Sequence, residues 1–182
     1  MKGWTLPREV DVNGKRYKVN ADYRDVLDII ERINDVSEDE QIRAYVSLAL
    51  FYENFESMPI EDYQEAINQL YWFISCGETG GSAKQAKVID WEQDQQMIVA
   101  DINKVAGCEV RNLPFCHWWT FIGWFNSIGE GQLSTVVSIR EKKRKGKRLN
   151  DWEREFYRKN RSRVDFKTKY TTQEDSILKE WT

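Results

Sequence analysis

One histidine and three cysteines are the residues of this chain best suited to nucleophilic or metal chemistry. Cys76, Cys108 and Cys116 are scattered without a C-x-x-C pair, so a zinc site that joins them to His117 is only a weak alternative. His117 follows Cys116 directly, but neighbouring helical side chains point about 100° apart, so the imidazole is badly placed to activate that thiol. We therefore predict free, buried or half-buried thiols, no metal or other cofactor, and a core histidine with one hydrogen-bonded partner.

Two aspartates are the other candidates for catalysis. The helix predicted over residues 90–107 has an apolar arc that includes Asp94 and Asp101. Acidic groups on an apolar face can act as general acid and base or bind a metal. Their spacing along the chain separates them by about 10 Å on the helix axis, which is far for a shared ion. We predict that both are buried structural groups that accept hydrogen bonds from Arg111, His117 or a Trp indole.

The glycine-rich segment 77–87, GETGGSAKQAK, shows no sign of phosphate binding. It lacks the Lys-Ser/Thr ending of a phosphate loop and does not follow a strand in a βαβ unit. Its small polar residues predict a flexible linker. With no catalytic residue identified in this segment or elsewhere, we predict that the protein is not an enzyme.

Charge is distributed unevenly along the chain. Residues 1–139 contain 12 basic and 22 acidic residues, a net of −10, whereas residues 140–169 contain 14 basic and 5 acidic residues, a net of +9. The chain is therefore an acidic body followed by a basic arm. We divide it into residues 1–131, an N-terminal hairpin with a helical core, and residues 132–182, a basic helical C-terminal arm.

Composition predicts one folded protein in the cytoplasm. Hydrophobic residues make up 41% of the 182 residues, which is ample for a core. No run reaches the roughly eighteen apolar residues of a membrane helix, and the N-terminus shows no signal-peptide pattern. The periodicity predicts a mainly α fold of about six to seven helices with an N-terminal β-hairpin.

Local signals place the first elements. Alternating residues around Asn13-Gly14 predict a hairpin with a type I′ turn, and Trp4 and Leu6 are expected to anchor it. Asp22 is the predicted N-cap of the first helix. The second helix is expected to begin with a capping box and to carry a set of apolar residues at helical spacing. The capping box pairs Ser37 with Glu40, and the apolar set is Ile42, Tyr45, Val46 and Ala49.

The later helices follow from the same signals. A third helix is predicted over residues 60–74, and a fifth begins at Pro114 and is central because it is apolar all round. Gly146 separates the sixth helix from a seventh near residues 150–160. The seventh helix is expected to pack through four residues, and three residues of the tail are suited to docking. These are Leu149, Trp152, Phe156 and Tyr157 in the helix and Ile177, Leu178 and Trp181 in the tail.

The start of the basic arm is the strongest functional signal. Its clustered cations, followed by aromatic residues, suit an acidic protein surface, including a second copy of the chain, and also suit nucleic acid. The simplest alternative is a solvated helix face. We predict a partner-binding segment that consists of Leu133, Val136, Val137, Arg140, Lys142, Lys143, Arg144, Lys145, Lys147 and Arg148.

Several segments together carry a family resemblance. They are WTLP at 4–7, VNGKRYKVN at 12–20 leading into DYR at 22–24, LYWFI at 70–74, DWEQD at 90–94, HWWTF at 117–121 and FYR at 156–158. In this order and spacing they resemble the small phage and prophage family named after gene product fifteen of a Listeria phage. The resemblance covers most of the chain and brings no catalytic residues with it.

The resemblance implies a function in tail assembly. The family's gene is expected between those of the major tail protein and the tape-measure protein, which is the position of tail-assembly chaperones. It implies a helical protein of the host cytoplasm that coats the apolar tape-measure chain, recruits tail-tube subunits and then leaves. The alternatives are a nucleic-acid-binding protein that uses the basic arm and a permanent structural component of the tail.

Overall fold

The computed structural model describes residues 4–78 and 87–167, and the fold of these residues is mainly α with an N-terminal β-hairpin, as predicted. It contains eight α-helices within these residues, the last of only four residues. The elements are β1 (Glu9–Val12), β2 (Lys15–Lys18), α1 (Tyr23–Asn34), α2 (Glu40–Phe51), α3 (Tyr63–Ile74), α4 (Gln95–Ala106), α5 (Trp118–Asn126), α6 (Gln132–Arg144), α7 (Asp151–Lys159) and α8 (Arg161–Val164). Short 3₁₀ turns cover Phe55–Ser57, Ile60–Asp62 and Val110–Asn112.

The chain divides into two compact units. The first unit consists of Met1–Gln85 and Ile102–Ser127, and the second of Ala86–Asp101 and Ile128–Thr182. Residues 86–101 thus cluster with the C-terminal residues, while the predicted division after residue 131 stays a prediction. Among the described residues, no helix is long and apolar enough to cross a membrane.

The predicted hairpin is confirmed. The antiparallel strands pair Glu9 with Lys18 and Val12 with Lys15, and Asn13 and Gly14 both have positive φ, at 51° and 84°. This is the backbone that a type I′ turn requires. One face is buried through Val10, Val12, Tyr17 and Val19. Trp4, however, does not anchor the hairpin, because its side chain is 90% exposed.

Helix α1 begins as predicted and helix α2 does not. Asp22 caps α1 by accepting a hydrogen bond from the Arg24 backbone N–H. The predicted capping box of Ser37 and Glu40 is wrong, because Asp39 is the N-cap of α2 and accepts from two backbone N–H groups. Ser37 instead belongs to the preceding turn, where its hydroxyl donates to the carboxylate of Asp35.

Helix α2 buries the opposite face from the predicted one. Its buried residues are Ser47, Leu48 and Phe51, whereas Ile42 and Tyr45 are 54% and 53% exposed. The helix has apolar residues on both sides, so periodicity does not tell which side faces the core. Contact with α1 and α3 decides it within the first unit.

Helix α5 begins later than predicted and is less central. Residues before it pair in an extended bridge with the start of α1, since the Tyr23 N–H donates to the Cys116 carbonyl and the Trp118 N–H to the Ala21 carbonyl. Pro114 therefore does not open the helix, which starts at Trp118 with His117 as its N-cap. Only Trp118 and Phe121 are buried in it, so the expected all-round burial is wrong.

In the second unit, α4 begins five residues after the predicted start. Asp90 accepts hydrogen bonds from the backbone N–H groups of Glu92 and Gln93, which form a turn before the helix. Gly146, at a φ of 63°, separates α6 from α7 as predicted. Trp152 of α7 is 59% exposed, so its predicted packing is wrong.

Two predicted features lie outside the described residues. They are most of the glycine-rich linker, since residues 79–86 are not described, and the C-terminal residues Ile177, Leu178 and Trp181.

The hairpin turn yields a stability prediction with an internal control. Gly14→Ala places a Cβ at a φ of 84° and is expected to lower the free energy of unfolding by about 1 kcal/mol. Gly123→Ala, inside α5 with nothing within 4 Å of the new Cβ, is expected to raise it by about 1 kcal/mol. Urea unfolding of both variants checks the opposite signs, and a stabilised Gly14→Ala variant would contradict the turn geometry.

Candidate partner-binding surfaces

The histidine and cysteine side chains are arranged for structure. His117 is 3% exposed, its Nδ1 accepts from the Trp119 backbone N–H at 3.1 Å, and its Nε2 lies 2.8 Å from the Pro7 carbonyl. Because Nδ1 accepts, the proton is on Nε2 and donates to Pro7. Desolvation lowers the pKa of His117, so the ring is neutral near pH 7. The predicted burial of His117 is confirmed, and the ring has two hydrogen-bonded partners where one was predicted.

The thiols are poor nucleophiles where they are buried. Burial raises the pKa of Cys116 and of Cys76 to about 11, which keeps both protonated at neutral pH. The Cys116 Sγ points to the carbonyl of His117, at 3.8 Å, and not to its imidazole. All three cysteines are free, but Cys108 is exposed, which corrects the prediction that all are buried or half-buried.

Asp94 is buried beneath an arginine of the basic arm. Arg140 donates to both of its carboxylate oxygens, at 2.5 and 2.9 Å, and the two side chains are 4% and 0% exposed. Arg140 also donates to the carbonyls of Val88, Arg163 and Val164. The guanidinium therefore joins three separate segments of the second unit.

Asp101 is also buried, with a different set of contacts. Its Oδ2 accepts from the Leu133 backbone N–H at 3.2 Å, at the first turn of α6. A Cβ on Gly131 would lie 2.5 Å from the same oxygen, so only glycine fits there without displacing the carboxylate. The predicted burial of Asp94 and Asp101 is confirmed, but the side-chain donor to Asp94 is Arg140 and not one of the predicted donors. Arg111 pairs instead with Glu109.

Neither aspartate forms a catalytic pair with the other, since each is bonded to separate groups. Across residues 4–78 and 87–167, no three His, Cys, Asp or Glu side chains gather as metal ligands would. The described residues therefore present neither a carboxylate dyad nor a candidate metal centre on these two aspartates.

Much of the predicted partner-binding segment is folded into the second unit. Leu133, Val136 and Arg140 are buried, and Val137 is half-buried. Buried side chains are not available to a partner in this conformation. Membership of these residues in a binding surface is therefore not supported by their position, and only the later residues of the segment are accessible.

Most of the accessible cations are neutralised within the same unit. Lys142 pairs with Glu153 and Lys143 with Asp165, both at 2.5 Å, and Arg144 and Lys145 share Glu141. In the described part of the chain, Lys147 and Arg148 are exposed and form no ion pair. Within the predicted segment, these two cations are the ones that an acidic partner could contact.

An open groove lies on the first unit. Its apolar side chains include Leu6 and Phe115, which are 48% and 42% exposed, and the Arg8 guanidinium lies 4.8 Å from the centre of the Phe115 ring. Five acidic and three basic residues also line it. The lining residues are Leu6, Arg8, Glu9, Val10, Asp11, Arg16, Lys18, Val19, Asn20, Ala21, Asp22, Asp25, Glu53 and Phe115.

Helix α2 presents a second apolar surface that sequence reasoning missed. Ile42, Tyr45 and Ala49 are exposed on one side of the helix. A smaller groove, lined in part by Tyr45, Ala49 and Phe55, adjoins this face. The sequence identifies these three residues as apolar positions of the helix, but periodicity alone does not place them on the surface.

Comparison with known proteins identifies the family. The family model described as Bacteriophage Gp15 protein matches residues 5–166. The chain belongs to this family. Membership indicates a structural or morphogenesis role in a bacteriophage, and the family is not known as enzymatic. No curated protein and no solved structure matches the chain.

The buried ion pair of this Gp15-family protein yields a stability prediction. Arg140→Met leaves the Asp94 carboxylate buried without its partner, and we expect the free energy of unfolding to fall by about 3–5 kcal/mol. The matched control is Arg144→Met, an exposed arginine of the same helix, which should change little. Combining Arg140→Met with Asp94→Leu should recover part of the loss, because no unpaired charge remains. Equal effects of the two single variants in urea unfolding would contradict a dominant ion pair.

His117 makes the stability of this Gp15-family protein depend on pH. Because its folded pKa is depressed below the usual 6.5, its contribution to stability is complete above pH 6.5 and is lost as pH falls through the folded pKa. His117→Asn keeps an N-cap acceptor and removes the titration. The stability advantage of the wild type over this variant should shrink between about pH 7.5 and pH 5. An advantage that grows on acidification in urea unfolding would refute the assignment.

Proposed function

We propose that this Gp15-family protein is a non-catalytic tail-assembly chaperone. In the host cytoplasm it binds the tape-measure protein and tail-tube subunits during tail morphogenesis. The observation that carries the proposal, beyond family membership, is the groove of the first unit with its exposed apolar side chains. A chaperone of an apolar client needs such a surface on a charged body.

The groove has the chemistry for an apolar client segment. Leu6 and Phe115 supply apolar area that is about half exposed to solvent. Trp4, close to Leu6 in the chain, is 90% exposed. Covering such side chains stabilises a complex by roughly 25 cal/mol per Å² of buried apolar area. The charged residues of the lining keep the empty groove compatible with water. Reversible binding follows from this mixture of apolar and charged groups.

The two units differ in net charge. The first unit contains 11 basic and 17 acidic residues, a net of −6, and the second contains 16 basic and 13 acidic residues, a net of +3. Excess acidic charge keeps a body with an apolar groove from aggregating. In the second unit, the exposed Lys147 and Arg148 suit an acidic patch on a tail-tube subunit.

Co-expression with the tape-measure protein tests the proposal. We expect the wild-type chain to keep the tape-measure protein soluble and to co-purify with it. The double variant Leu6→Glu/Phe115→Ser should weaken the complex by about tenfold or more, because it removes the apolar contacts. Val36→Glu, at an 88% exposed residue outside the groove lining, is the matched control.

Three outcomes would count against the proposal in different ways. A tape-measure protein that stays insoluble with the wild-type chain would refute the chaperone role. Groove and control variants that bind equally would exclude the groove as the site. Stoichiometric amounts of the chain in purified virions, measured by mass spectrometry, would identify a permanent tail component instead.

A further inference from the structure

Helix α2 carries an apolar stripe that the first unit does not use. Ile42, Tyr45 and Ala49 recur at spacings of three and four residues, so they lie on one side of the helix over about 10 Å. Leu48 and Phe51 on the other side are buried. An exposed stripe with this spacing is the pattern by which one helix receives another.

The groove beside the stripe is partly rigid. The rings of Tyr45 and Phe55 meet edge to face with centroids 5.1 Å apart, and Phe55 is buried. Tyr45 therefore loses little freedom when a partner contacts it, which favours binding. Exposed Glu53 and Glu56 contribute to the lining of the same groove.

Charge around the stripe selects a basic partner. Residues 25–65 contain 12 acidic and 2 basic residues, a net of −10. An acidic helix would be repelled from this surface, whereas a basic one would be attracted. The partner must therefore combine exposed apolar side chains with an excess of lysine and arginine.

The chain itself contains a candidate in α7, which carries three acidic and three basic residues but lies within a basic segment and exposes an aromatic side chain. On α7, Trp152 is 59% exposed, and its ring lies 5.5 Å from that of Phe156, one turn further along. Residues 140–167 contain 13 basic and 5 acidic residues, a net of +8. An exposed Trp on a helical surface is the kind of residue that dominates binding energy at protein interfaces.

We propose that α7 of one copy docks on α2 of a second copy, with Trp152 and Phe156 against Ile42, Tyr45 and Ala49. The two surfaces differ, so the contact is heterologous: each pair retains one free α2 face and one free α7 face, and further copies add head to tail. The contact is small and therefore weak and dependent on concentration. It does not depend on the chaperone role, because it uses neither the groove around Leu6 and Phe115 nor a phage partner.

Sedimentation velocity of the full chain tests this proposal. Over about 5 to about 500 µM, the weight-average sedimentation coefficient of the wild type should rise and should rise less at high salt. Ile42→Asp and Trp152→Asp should each remain monomeric over the same range. Val36→Asp alters an exposed apolar residue in the turn before α2, outside the proposed stripe, and should associate like the wild type.

An equimolar mixture of the two variants is the decisive experiment. The Ile42→Asp copy keeps an intact α7 and the Trp152→Asp copy keeps an intact α2, so an equimolar mixture should form dimers and nothing larger. A wild type that is monomeric throughout would overturn the proposal. Normal association of the Trp152→Asp variant alone would also overturn the proposal, because such a contact would not involve α7 and would point to a symmetric contact between α2 faces. A monomeric mixture would also overturn it.

Self-association and binding of the tape-measure protein can be tested separately. Ile42→Asp leaves the Leu6 and Phe115 groove intact, so it should still co-purify with the tape-measure protein while it no longer self-associates. Loss of both properties in a variant that still folds, as judged by circular dichroism and urea unfolding, would mean that α2 binds the client and would overturn the assignment of α2 to a second copy.

Discussion

The second unit depends on one buried guanidinium. Arg140 neutralises Asp94 and also donates to the carbonyls of Val88, Arg163 and Val164. The last two are carbonyls at the end of α8, which have no partner within that helix. The Arg140 guanidinium lies 4.1 Å from the centre of the Phe166 ring, which adds a cation–π contact. Water cannot replace either charge in this site, so neither side chain can be lost alone without leaving an uncompensated ion.

Because Arg140 is buried, fewer residues of the basic segment are available for binding than the linear sequence indicates. In the linear sequence, Arg140 is the first of seven cations in nine residues and looks like part of a binding surface. In the fold it is a core residue, and four of the others are neutralised by Glu141, Glu153 and Asp165. What remains for partners is a short exposed stretch at Lys147 and Arg148 and the aromatic side of α7. The binding proposed for this unit thus relies on apolar contact as well as charge.

The two units of this Gp15-family protein differ in surface chemistry. The first combines a net negative charge with exposed apolar side chains in a groove and on α2. The second combines a net positive charge with an aromatic pair on α7, of which Trp152 is exposed and Phe156 is half-buried. Opposite charge with apolar residues at the centre is the usual composition of a specific but reversible protein interface, and such reversibility suits the proposed role in tail assembly.

The sequence alone determined the elements governed by local forces. Asn13-Gly14 specifies its turn because both residues tolerate positive φ, Asp22 caps α1 through its own neighbours, and the apolar arc predicts burial of Asp94 and Asp101. Only tertiary structure decided which face of α2 is inside, where α5 begins and which cation meets Asp94. Those outcomes depend on contacts between residues far apart in the chain, such as the 46 residues that separate Asp94 from Arg140, and periodicity carries no information about such partners.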